Sequence, residues 1–100
     1  MRTLPTGAAD IQEFYRDHWN GDFVRLVRAK IPESELREYA LKVGAKKVVT
    51  EDHPAEIISW SHGPSWWSPE GLPRYCSSGP DQRVLVGWQD GYVYFDAAAW

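Results

Sequence analysis

The sequence contains one cysteine among 100 residues, so no disulfide can form within the chain. It has no apolar run near the roughly 18 residues that cross a bilayer, and its first residues lack the apolar stretch of a signal peptide. We therefore expect a cytoplasmic protein without a membrane-spanning segment. The 43% hydrophobic and 25% charged content is typical of a folded chain, and we interpret residues 1–100 as a single domain.

Basic residues are scarce in the second half of the chain, where two Lys/Arg stand against seven Asp/Glu, and the net charge of the whole chain is −3. Because phosphate binding is driven by clustered Lys and Arg, a nucleic-acid partner is not expected. A basic stripe, which could attract an acidic partner or a phosphate backbone, would form only if a strand over 23–31 paired near residues 46–50. We interpret the residues of that stripe as a solvated sheet edge: Arg25, Arg28, Lys30, Lys46 and Lys47.

Motifs for metal binding and catalysis are also lacking. There is no Cys/His pair at a zinc spacing, no His-Glu-x-x-His, no Gly-x-Ser-x-Gly and no glycine-rich phosphate loop. We predict no metal, no cofactor and no catalytic residue. A small enzyme remains an alternative, in which the thiol of Cys76 would act with His53 or His62. A lone cysteine on a strand is, however, more often a small buried apolar residue.

Two helices are predicted in the first half of the chain. Residues 10–19 carry apolar side chains at helical spacing, with Asp10 as the capping residue and a stop at Asn20-Gly21. Residues 32–44 form the clearest element, with an apolar stripe, Pro32 and glutamates at its start, and Gly44 at its end. The stripe of this second helix consists of Leu36, Tyr39, Ala40 and Val43.

Strands are predicted over 23–31, 46–50, 74–78, 82–88 and 92–97. The last two flank Asp90-Gly91, a strong hairpin signal. Because paired strands follow the helices, the sequence predicts an α+β fold. In this fold two N-terminal-half helices pack on an antiparallel sheet that ends in a β-meander.

A tryptophan-rich segment over 60–69 is the one unusual local feature. Its rings alternate with prolines and small polar residues, which suits a surface that stacks on a sugar, a peptide or a partner side chain. The alternative is that these rings fill the core of a small domain. The candidate binding residues are Trp60, His62, Trp66 and Trp67.

In general layout the chain resembles small bacterial proteins of unknown function. The resemblance rests on the capped helix over 34–44, the Trp-Trp-x-Pro motif over 66–69 and the hairpin rich in Gly and Tyr over 91–95. It implies no activity.

The function that we expect is therefore that of a non-catalytic protein-interaction module, of the accessory or immunity type, which would present an aromatic and acidic surface to a protein partner. The alternatives are binding of a carbohydrate or small molecule by residues 60–69, or the small enzyme described above.

Overall fold

The computed structural model describes residues 7–17, 22–49, 60–71, 73–79 and 81–99. Within these ranges the chain forms one antiparallel sheet of six strands in the order β1-β2-β6-β5-β4-β3. The strands are β1 (Ala9–Asp17), β2 (Phe23–Lys30), β3 (Lys47–Val48), β4 (Tyr75–Ser78), β5 (Gln82–Gln89) and β6 (Tyr92–Ala99).

The first predicted helix is wrong, because residues 9–17 form the edge strand β1. The ladder with β2 places Phe14 opposite Leu26 and continues to the end of the strand. Tyr15, which a helical stripe would have buried, is 60% exposed. Asp10 caps no helix: it lies where the register shifts, with a φ of 51°. Pairing with β2 therefore outweighs the local helical spacing, and the predicted stop at 20–21 lies outside the described residues.

The second predicted helix is confirmed, as a 3-10 turn over Glu33–Glu35 that continues into α1 (Leu36–Lys42). Its stripe packs on one face of the sheet, where the rings of Tyr39 and Phe95 meet edge to face with centroids 6.2 Å apart. Gly44 follows with a φ of +90°, a conformation that favours glycine. No helix in the described part of the chain is long and apolar enough to span a bilayer.

The predicted fold class is therefore wrong in its helices. The described residues contain one short helical segment of ten residues against a six-stranded sheet, instead of two helices packed on a sheet. The β-meander at the end of the sequence is confirmed by the pairing of β4 with β5 and of β5 with β6. Asp90 and Gly91 both have positive φ, as the hairpin signal requires.

The conditional basic stripe does not form, because β2 pairs with β1 and β6. Strand β3 lies at the opposite edge of the sheet, where it pairs with β4. The basic residues of β2 and those at 46–47 therefore belong to opposite sides of the molecule.

The packing of α1 leads to a stability prediction with a matched control in the same helix. Leu36 is 2% exposed, whereas Leu41 is 51% exposed. We expect Leu36→Ala to lower the free energy of unfolding by about 2–5 kcal/mol and Leu41→Ala to change it by less than about 0.5 kcal/mol. Urea unfolding of both variants measures the difference. Equal effects would show that α1 does not pack through Leu36.

Candidate functional site

The two faces of the sheet are covered by different parts of the chain. We call the side on which α1 packs the helix face; it carries Val27, Val86 and Phe95. The opposite side, the loop face, carries Leu26 and Tyr94. Residues 60–71, the covering segment, pack over the loop face through their tryptophans.

Trp67 is the residue of the covering segment that fills the core. It is 7% exposed, and its ring meets the ring of Tyr94 with centroids 5.4 Å apart. Its indole Nε1 donates a hydrogen bond to the backbone oxygen of Ser61 at 2.8 Å, and its backbone nitrogen donates to the oxygen of Pro64 at 2.9 Å. These bonds satisfy the polar atoms that accompany a buried indole.

Two glycines allow the covering segment to lie close to the sheet. A Cβ atom on Gly63 would stand 2.5 Å from Cδ1 of Leu26, and one on Gly87 would stand 3.0 Å from the ring of Trp60. Both distances are shorter than ordinary carbon contacts. Because glycine has no side chain, the backbone at Gly63 and the ring of Trp60 can occupy the space above β2 and β5.

A buried carboxylate on β6 binds the start of the covering segment. Asp96 is fully buried; its Oδ2 accepts a hydrogen bond from the backbone nitrogen of Ser61 at 2.7 Å, and its Oδ1 accepts one from Ser61 Oγ at 3.0 Å. Burying a carboxylate is unfavourable unless hydrogen bonds or a charged partner compensate. Both of its oxygens have such partners.

Arg83 supplies the positive charge next to this carboxylate. Its Nη2 donates to Ser61 Oγ at 3.0 Å and lies 3.7 Å from Asp96 Oδ2. Its Nε is buried and has no hydrogen-bond partner among the described residues. We call Ser61, Arg83 and Asp96 the Asp96 network. It joins β5 and β6 to the covering segment.

Burial raises the pKa of Asp96 above its ordinary value of 3.8. The hydrogen bonds from the backbone and hydroxyl of Ser61 lower this pKa, as does the charge of Arg83, but they do not cancel the effect of burial. The network has neither a second carboxylate nor a histidine. Its chemistry therefore fits a structural role better than proton transfer to a substrate.

The part of the loop face beside the covering segment exposes aromatic and arginine side chains. Phe14, Trp66 and Tyr92 are half-buried and pack against the cluster of Leu26, Trp67 and Tyr94. The guanidinium carbon of Arg28 lies 3.9 Å from the ring centroid of Tyr92, and that of Arg16 lies 5.6 Å from the ring centroid of Phe14. We call these residues and Gln12 the Arg28 surface: Gln12, Phe14, Arg16, Arg28, Trp66 and Tyr92.

The four predicted binding residues have different environments. Trp67 is buried, and Trp60 is half-buried with its indole nitrogen donating to the oxygen of Gly71 at 3.1 Å. Trp66 is half-buried and His62 is exposed. Of the four, Trp60 and Trp66 are thus the half-buried rings with contact area to offer a ligand, whereas the ring of Trp67 serves the packing of the segment.

The two described residues of the alternative enzyme, Cys76 and His62, differ in their exposure to solvent. Cys76 is buried on β4, His62 is exposed to solvent, and His53 lies outside the described residues. Within the described ranges no group of three or more His, Cys, Asp or Glu side chains could hold a metal ion.

Sequence patterns did not indicate Asp96 or Ser61, and they indicated Arg28 only as a member of the conditional basic stripe. One signal for Asp96 was present: an acidic residue stands in an otherwise apolar strand, where Asp is disfavoured. Its partner Ser61 lies 35 residues away, and the residues near Arg28 come from three strands. No local spacing reveals such contacts.

Comparisons of this chain with protein-family models, curated proteins and solved structures found no match.

The two adjacent tryptophans differ in burial, which leads to a second prediction. We expect Trp67→Ala to lower the free energy of unfolding by about 3–5 kcal/mol, because it empties the space beneath the covering segment. Trp66→Ala leaves a less enclosed gap, and we expect it to lower the free energy of unfolding by about 1–2 kcal/mol. Chemical unfolding followed by circular dichroism measures both. If Trp66→Ala lowered the free energy of unfolding more than Trp67→Ala, the assignment of Trp67 as the ring that fills the core would be wrong.

The Asp96 network leads to a third prediction, on the pH dependence of stability. Because the pKa of Asp96 is raised in the folded chain, the folded form holds more protons than the unfolded form at pH values between 3.8 and that raised pKa. As the pH falls through this range, the contribution of Asp96 to the free energy of unfolding therefore increases. Asp96→Asn removes the titration.

The measurement compares the free energy of unfolding of the wild type with that of Asp96→Asn from pH 7 to pH 4. We expect the difference, wild type minus variant, to rise as the pH falls. A difference that falls instead would show that the bonds from Ser61 and Arg83 outweigh the effect of burial.

Proposed function

We propose that this protein is a non-catalytic interaction module that binds a protein partner through the Arg28 surface. The observation that carries the proposal is the half-buried Trp66, which packs on a buried tryptophan with their centroids 6.2 Å apart. A ring supported in this way has little freedom to lose on binding. It therefore provides contact area at a small entropic cost.

The composition of the surface supports the same proposal. Trp, Tyr and Arg are the residue types that dominate binding energy in protein interfaces, and the Arg28 surface combines Trp66, Tyr92 and Arg28. The rings belong to one apolar cluster, and polar groups border it, as in the core and rim of an interface.

A carbohydrate site has less support. Stacking on a sugar requires an accessible ring face, and the guanidinium of Arg28 already lies over the ring of Tyr92. Trp67 is buried. Trp60 and Trp66, both half-buried, remain as stacking platforms in the covering segment.

The cytoplasm is the compartment that we propose, since a chain with one cysteine makes no use of internal disulfides. The accessory or immunity type of role and the resemblance to small bacterial proteins stay predictions.

Site-specific photo-cross-linking tests this function. The photoreactive residue p-benzoylphenylalanine replaces Trp66 in one variant and Leu41 in a control variant. Leu41 is a large exposed apolar residue on α1, on the other side of the sheet. We expect a discrete protein adduct from position 66 in the cell of origin and none from position 41.

Affinity measurements with the purified partner complete the test. We expect Trp66→Ala to weaken binding by about 2 kcal/mol or more while the variant stays folded at the assay temperature. Adducts of equal yield from both positions, or unchanged affinity of Trp66→Ala, would contradict the proposal.

A further inference from the structure

The charges of β1 and β2 are divided between the two faces of the sheet. Because side chains alternate along a strand, Arg16, Arg28 and Lys30 project on the loop face, as Leu26 does. The acidic residues Glu13 and Asp17 of β1 alternate to the helix face. The loop face of these strands is therefore basic, although the whole chain carries a net charge of −3.

Arg28 is held in place by three neighbours. Its Nε donates to the hydroxyl of Tyr94 at 3.2 Å, its Nη1 donates to Oε1 of Gln12 at 2.9 Å, and its plane lies over the ring of Tyr92. A guanidinium has five N–H donors. Two are used by these bonds, so three have no partner in the part of the chain that the structure describes.

Among the described residues, the acidic side chain of Asp10 lies nearby and is already engaged. The hydroxyl of Tyr92 donates to Oδ2 of Asp10 at 3.3 Å. Asp10 therefore helps to orient the ring beneath Arg28, and it has no hydrogen bond to the guanidinium.

We propose that the Arg28 surface recognises an acidic segment of the partner protein, with a carboxylate of that segment bound by those N–H donors of Arg28 that have no partner among the described residues. This inference rests on the proposed function and names the chemistry of the partner. A planar guanidinium fixed by stacking and by two hydrogen bonds matches the two oxygens of a carboxylate. Arg16 and Lys30 add positive charge on the same face, and the half-buried rings of Phe14 and Trp66 provide apolar contact beside it.

A protein segment fits this surface better than a nucleic acid. Three basic side chains on a chain of net charge −3 supply little of the electrostatic attraction that a phosphate backbone requires. The combination of a few fixed charges with aromatic contact area is instead typical of protein interfaces.

The test uses two blocked synthetic peptides, one of alternating glutamate and leucine and one of alternating glutamine and leucine. They are titrated into the ¹⁵N-labelled full chain at physiological salt concentration. We expect the glutamate peptide to shift the resonances of the Arg28 surface and the glutamine peptide to bind at least about tenfold more weakly.

Arg25 provides the matched control, because it lies three residues from Arg28 on the same strand and alternates to the helix face. Arg28→Gln and Arg25→Gln change the net charge equally. We expect Arg28→Gln to weaken binding of the glutamate peptide at least about tenfold and Arg25→Gln by less than about twofold. Arg28→Lys, which keeps the charge and loses the planar fork, is expected to resemble Arg28→Gln. The spectrum of each free variant confirms that it is folded.

Several results would overturn the inference: no binding of the glutamate peptide, equal binding of both peptides, or equal loss in both glutamine variants. Tighter binding of oligothymidine at the same residues would assign the surface to nucleic acid. A dimer that Arg28→Gln dissociates would assign it to a second copy of the chain. Cross-linking at position 66 tests the proposed function separately, so failure of the acidic-segment inference is distinguishable from failure of the proposed function.

Discussion

The hydrogen bonds between Asp96 and Ser61 are the interaction on which the arrangement of the loop face depends. A fully buried carboxylate loses its hydration, and only well-placed donors and a nearby positive charge compensate for that loss. Ser61 supplies two donors and Arg83 supplies the charge. Because these bonds join the start of the covering segment to β6, the network fixes where this segment lies on the sheet.

The position of the covering segment then decides which aromatic side chains are buried. Ser61 also accepts the indole hydrogen bond of Trp67, so the residue that binds Asp96 sets the position of the buried ring. Trp66 packs edge to face on that ring and remains half-buried. Asp96 thus holds Ser61, and Ser61 positions Trp67. Trp67 in turn supports Trp66, the ring that we assign to partner binding.

The sequence predicted those elements whose signals are local. Residues 32–44 contain their own start signal, stripe and stop, and Asp90-Gly91 contains the positive-φ residues of a tight hairpin. The helix predicted over 10–19 was wrong because its decisive contact is the ladder with β2, which no helical spacing records. The same reason explains why the candidate site was predicted only in part. Trp66 belongs to an unusual segment, whereas Arg28 becomes distinctive only when Gln12, Tyr92 and Tyr94 surround it.

Amide hydrogen exchange of the wild type and of Asp96→Ala tests the central claim most directly, because it reports the covering segment and the sheet separately. The account predicts that the amides of Ser61 and Trp67 exchange at least about tenfold faster in the variant. The amides of Val86 and Val93, at the centre of the sheet, should keep most of their protection. Unchanged exchange at Ser61 and Trp67 would contradict the claim that Asp96 holds the covering segment on the sheet.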